Sequence, residues 1–148
     1  MRVLFLGDIV GRSGRDAVVN ELPSLRSDLK LDFVVVNGEN AAGGFGITES
    51  IAKALLDAGV DCITLGNHSW DQRQVIPYMM EEPRLIRPIN FPAGTPGRGS
   101  GVYEARNGMR VLVINAMGRI FMDPLDDPFA AVDKALDDLV LGADVDFV

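Results

Sequence analysis

The sequence predicts an α/β fold in which a parallel βαβαβ sheet leads into the start of a second, antiparallel sheet. Two observations carry this. From Val3 to Leu65, short apolar runs alternate with stretches of helical periodicity, and each apolar run closes on a glycine followed by polar residues. Farther along, Asn107-Gly108 stands between two strand-like runs, the strongest short-range signal for a hairpin.

The elements follow in order. Val3 to Leu6 is almost wholly apolar, as expected of a strand buried on both faces, and Gly7-Asp8-Ile9-Val10-Gly11 breaks it. Ser13 is placed to cap a helix carrying Ala17, Val18, Leu22 and Leu25, with Pro23 expected to kink or end it. Phe33 to Val36 is a second buried-type strand, ended by Asn37-Gly38-Glu39-Asn40 and a loop holding Gly43, Gly44 and Gly46. Thr48 caps a helix with Ile51, Leu55 and Leu56, and Gly59 sits at its C-terminal cap. Cys62 to Leu65 is the third strand, closed by Gly66-Asn67-His68.

Asp71 to Met80 reads as a short helix, and Arg84 to Gly101, rich in proline and glycine, as an extended connector. Val102 to Ala105 and Arg110 to Asn115 form the hairpin. Asp126 to Leu139 is a helix with Phe129, Val132, Leu136 and Leu139 on its apolar side. Asp144 to Val148 reads as the beginning of another strand. The expectation is one domain over 1–148, truncated, with an open sheet edge that a partner copy in a homo-oligomer could cover.

Composition narrows the function. The 148 residues are 47% apolar and 24% charged, typical of a folded globular chain. Fourteen basic against 21 acidic residues give a net charge of −7, which argues against extended nucleic-acid binding through clustered Lys and Arg. A small phosphate ligand whose charge a metal neutralises is still compatible. The single cysteine, Cys62, rules out an internal disulfide and fits a reducing cytoplasm. The N-terminal apolar run is too short for a signal peptide, and no stretch approaches the roughly 20 apolar residues of a membrane span.

The chemistry is concentrated where the three parallel strands end. Open parallel sheets bind ligands outside the carboxyl ends of their strands. Three consecutive strands would bring Asp8, Glu39, Asn40, Asn67 and His68 to one edge, each group preceded by a glycine that lets the backbone turn sharply and leaves room for a ligand. Two carboxylates and two amide oxygens are hard donors, suited to magnesium, manganese or iron. A cation would also relieve the repulsion between converging carboxylates.

Singly, each of these residues has a plainer reading: Asp8, Asn40 and Asn67 as turn or cap residues, Glu39 as a solvated carboxylate, His68 as a structural histidine. Their recurrence at three matching strand ends favours one site. Arg12 and Arg15 could meet a phosphate, and Phe45 or Trp70 could stack on a base, although surface and packing roles are commoner for each. Gly7, Gly11 and Gly14 match neither the dinucleotide fingerprint nor a P-loop. Ser13 and Ser69 lack a visible His/Asp arrangement for a serine hydrolase. Ile9 stands where an esterase-like Gly-Asp-Ser motif needs its serine.

Gly7-Asp8-Ile9-Val10-Gly11, Asn37-Gly38-Glu39-Asn40-Ala41-Ala42-Gly43-Gly44 and Gly66-Asn67-His68-Ser69-Trp70-Asp71 resemble the YmdB-like branch of the calcineurin-type metallophosphoesterases. The likeness continues through Arg87-Pro88-Ile89-Asn90-Phe91-Pro92. It implies a double-sheet sandwich with two divalent metal ions at one edge, iron or manganese first and magnesium as the other candidate. It further implies hydrolysis of phosphodiesters, notably 2′,3′-cyclic nucleotides, by a two-metal hydroxide mechanism. By motif position, Asp8 and Asn40 would hold one metal, Glu39 would bridge both, Asn67 would hold the second, and His68 would be the general acid. Val10 occupies the histidine position of the superfamily's usual Asp-x-His, and Glu39-Asn40 replaces its usual Asp.

The family draws further ligands from histidines, and this sequence has one His in all, so the chain alone is expected to be inactive. The rival expectation is a non-catalytic nucleotide- or phosphate-binding module, or a regulatory one, of the same α/β type.

Overall fold

A computed structural model describes residues 1–148. Four parallel strands, β1 (Val3–Leu6), β2 (Phe33–Asn37), β3 (Cys62–Thr64) and β4 (Leu85–Ile86), pair in that order. Helices α1 (Gly11–Asp28) and α2 (Glu49–Asp57) provide the first two crossovers. A 3₁₀ turn (Arg73–Val75) and α3 (Ile76–Glu81) lead into β4. The antiparallel hairpin β5 (Ser100–Glu104) and β6 (Arg110–Ile114) follows, and then α4 (Pro128–Leu136).

The period-two alternation of a strand explains the layering. Val34 and Val36 of β2 face α1 and α2 and join Val18, Leu22, Ala52 and Leu55 in the larger core. Phe33 and Val35 face the other way and pack with Cys62, Ile86, Ala105 and Val111 beneath the hairpin. Burial pushes the Cys62 thiol up to about 12, so it behaves as a small apolar group. Arg26 of α1, buried, pairs with Asp61 at 2.8 Å and donates to the Asp32 carbonyl, pinning the helix to the start of β3.

Several expectations are corrected. β1 is not buried on both faces: Leu4 and Leu6 pack towards the helices, but Val3 and Phe5 are exposed. In the parallel register Val3 pairs with Phe33 and Phe5 with Val35, so all four share the hairpin side. The hairpin core covers β2 to β4 and leaves the edge strand beside a groove of about 420 Å³, lined in part by Phe5, Val113 and Phe147. Ser13 does not cap α1; Val10 occupies the N-cap without a side-chain bond, and the helix runs through Pro23, which lies on its exposed face. Ala17 and Leu25 are likewise exposed.

The connector hides β4, whose Leu85 and Ile86 are fully buried against β3. Arg87 then orders the loop behind it: its guanidinium donates to the carbonyls of Pro88 (2.7 Å), Thr95 (3.3 Å) and Pro96 (3.4 Å). Helix α4 forms with Asp127 as its cap, yet none of its residues is buried and Phe129 is 81% exposed. The final segment lies along β6, where the amide of Leu112 donates to Phe147 O at 2.9 Å, but only an isolated bridge forms there. No helix is long and apolar enough to cross a membrane.

Candidate active site

Backbone hydrogen bonds draw the ends of β1, β2 and β3 together. Gly38 N donates to Thr64 O (2.9 Å), Ile9 N to Asn37 O (3.1 Å) and Gly11 N to Asn40 O (3.0 Å). Asn40 Nδ2 donates to both carboxylate oxygens of Asp8, at 2.8 and 3.0 Å. The amide of His68 donates to Glu39 Oε2 at 3.4 Å. Four of the five expected residues thus form two linked pairs, and Asn67 lies beside His68 on the wall of a shared cavity.

The glycines act differently from expectation. Neither Gly7, Gly38 nor Gly66 has a positive φ, so none is needed for a sharp turn. Gly66 is needed for space, because a Cβ there would overlap the Glu39 carboxylate, whereas the surroundings of Gly7 are open. Left-handed glycines instead shape the loop after Asn40, at Gly43, Gly44 and Gly46. That loop sets the exposed Phe45 edge-on against His68, with ring centroids 5.2 Å apart. Gln72 Nε2 holds it by donating to Phe45 O at 2.9 Å.

His68 is oriented by a residue to which the sequence pattern assigned no role. Its Nδ1 lies 2.6 Å from Asp71 Oδ2, which leaves Nε2 for other partners. An acidic residue three positions after a histidine in a turn was the available signal. Near His68, Asp71 and Phe91, the segment carrying Phe121 and Asp123 borders a half-open cavity of about 330 Å³. That segment gave no sequence signal, since it is remote in the chain. Ser69 is buried and donates to Gly66 O at 2.6 Å, so its hydroxyl is not available as a nucleophile. Arg15 donates to Ala41 O at 3.0 Å. Trp70 packs edge-on against Phe91, with centroids 4.5 Å apart.

The donor set fits a hard divalent cation. The ion pairs of the structure are Arg26–Asp61, Lys53–Glu49, His68–Asp71, Arg84–Glu82 and Arg110–Asp146, so Asp8 and Glu39 face the sheet edge without a Lys or Arg partner. Turning the Asn40 amide over would present Oδ1 to a cation held by Asp8. No group of three His, Cys, Asp or Glu side chains converges, so the set depends on its amides.

A family model described as YmdB-like protein matches residues 4–148. The chain belongs to the YmdB-like family. Among curated relatives of this family, it is 48% identical over 136 residues to a protein of Bacillus subtilis (strain 168) named 2′,3′-cyclic-nucleotide 2′-phosphodiesterase, covering 92% of this chain and 51% of that one. A crystal structure of a hypothetical protein from Thermus thermophilus superposes with a TM-score of 0.87 at 46% identity, covering 95% of this chain and 54% of the other. A crystal structure of a novel phosphatase from Mycoplasma pneumoniae gives 0.81 at 31% identity, covering 90% and 50%. The YmdB-like chain described here spans about half the length of the curated relatives it matches. These neighbours agree with a mixed α/β fold of the phosphoesterase type.

Proposed function

We propose that this YmdB-like chain carries part of the active site of a metal-dependent phosphodiesterase acting on small phosphodiesters, with 2′,3′-cyclic nucleotides as the favoured substrates. One observation carries the reading: Asp8 with Asn40, and Glu39 with His68, meet at the carboxyl edge of the parallel sheet with no basic residue to neutralise the carboxylates. The name of the 48% identical relative supports the substrate class.

Asp8, Asn40, Glu39 and Asn67 would hold two divalent ions, iron or manganese by preference. Bound there, such ions supply an activated water and polarise the phosphoryl oxygens. The chain's own residues do the rest. Asp71 holds the His68 ring through Nδ1. His68 then gives a proton to the departing ribose oxygen as the bond from phosphorus to that oxygen breaks and water adds, an effect worth about 10²–10⁴ in rate. With oxygen donors alone, residues 1–148 hold metal weakly and turn over little by themselves. The single unbridged Cys62 makes the cytoplasm the compartment we assign.

The test pairs metal content by mass spectrometry with hydrolysis of a 2′,3′-cyclic nucleotide in added Mn²⁺, on this chain and on one extended to the relatives' length. Turnover in the extended chain that vanishes in Asp8→Ala supports the reading. Metal-independent nucleotide binding with no turnover in either would favour the binding module instead.

A further inference from the structure

One buried side chain builds a wall beside His68. Asn90 is fully buried; its Nδ2 donates to Met117 O at 2.8 Å and to Asp126 O at 3.2 Å, and its Oδ1 accepts from Met117 N at 3.0 Å. Its backbone carbonyl accepts from Asp126 N at 2.9 Å. These four bonds tie both ends of the segment 117–126 to one residue, which closes the segment into a compact surface loop.

The loop spends apolar surface on solvent. Ile120 is 79% exposed and Phe121 is 101% exposed, and Phe121 adopts a φ of 60°. A bulky side chain in the left-handed region is an outlier, and such backbone strain concentrates at sites that bind. Phe121 and Asp123 complete the cavity that His68, Asp71 and Phe91 line from the sheet edge. Its volume of about 330 Å³ falls in the range of small-molecule sites, roughly 300–1,000 Å³.

We infer that this cavity is a nucleobase subsite, in which a base stacks on Phe121 and donates an N–H to Asp123. The inference rests on the catalytic reading above. Beyond Asn67 and His68, the lining holds Asp71 and Asp123 and no Lys or Arg, so its outer part suits a neutral ring that carries N–H donors better than a phosphate. Every base offers a face for aromatic stacking, and exocyclic amines donate readily to carboxylates. His68 protonates the departing ribose oxygen, so the base on that ribose falls on the His68 side, where the cavity is. The phosphate stays on the Asp8–Asn40 side.

Trp70 is the one tryptophan of the chain and packs on Phe91, a lining residue, so its fluorescence reports occupancy. The experiment titrates metal-free 1–148 with adenosine and, separately, with inorganic phosphate. Adenosine is expected to give a saturable change and phosphate none. Phe121→Ala should weaken the adenosine midpoint about 5- to 150-fold, the worth of one base–aromatic stack, and Phe121→Tyr should retain it. Because Phe121 is fully exposed, neither variant disturbs the core. No adenosine response, an equal response to phosphate, or an unchanged midpoint in Phe121→Ala overturns the subsite. Adenosine has no phosphodiester and the titration no metal. Lost binding with intact cyclic-nucleotide hydrolysis by the chain extended to the relatives' length therefore refutes the subsite alone, and retained binding without hydrolysis by that extended chain refutes the catalytic reading alone.

Discussion

The Glu39 carboxylate lies against the Cα of Gly66, in the space that any larger residue would fill with its Cβ. A carboxylate after the second strand is thus positioned by the absence of a side chain after the third. The amide of His68 fixes the same group from one side, at 3.4 Å from Oε2.

Gly66→Ala should fold, because φ at Gly66 is not in the left-handed region and the obstacle is a rotatable side chain. Stability should fall by about 1–3 kcal/mol from overpacking. Because Glu39 must move, the stabilisation given by added Mn²⁺ should fall too. Urea unfolding with and without Mn²⁺ measures both; an undiminished Mn²⁺ effect would remove Glu39 from the ligand set.

The His68–Asp71 contact separates proton donation from ring positioning. In a chain extended to the relatives' length, His68→Ala should lower turnover about 10²–10⁴-fold and leave metal content unchanged. Asp71→Asn should cost less, about 10–100-fold, as expected for a group that orients a functional histidine. Steady-state kinetics with metal analysis decides this, and a metal-depleted but folded His68→Ala protein would end the assignment of His68 as acid.

Arg26 and Asp61 form a buried pair, with the arginine side chain 3% exposed and the aspartate 24%. Asp61 Oδ2 also accepts from Val34 N at 2.7 Å, so the pair joins α1, β2 and β3. Arg26→Ala leaves that carboxylate without its cation and should cost about 3–5 kcal/mol by chemical denaturation. A loss below about 1 kcal/mol would show the pair behaving like a surface ion pair.

Hydrogen bonds from Arg84 hold Glu82 below its ordinary value of 4.5, with burial acting in the opposite direction. The folded state thus binds the Glu82 proton less readily than the unfolded state. The resulting stabilisation is complete above pH 4.5 and is lost as pH falls through the lower, folded value. Thermal midpoints of wild type and Glu82→Gln should differ at neutral pH and converge in acid; a gap that widens in acid would reverse the sign.

The first three parallel strands and the hairpin were legible because apolar runs and Asn107-Gly108 are local signals. β4 was not, since two residues inside a proline-rich stretch become a strand only by pairing with β3. Periodicity marks Val3, Phe5 and Phe129 as apolar, but it does not say which faces find cover. Asp8, Glu39, Asn40, Asn67 and His68 could be read from three matching strand ends. Phe121 could not, because its place beside His68 depends on Asn90 holding a distant loop.

The most direct test of the site is a calorimetric titration of residues 1–148 with Mn²⁺, repeated on Glu39→Gln. Weak, saturable binding in the wild type that disappears in Glu39→Gln is the predicted result. Binding that survives the substitution, or no binding to the wild-type chain at any concentration, would contradict the assignment of the strand-end oxygens as metal ligands.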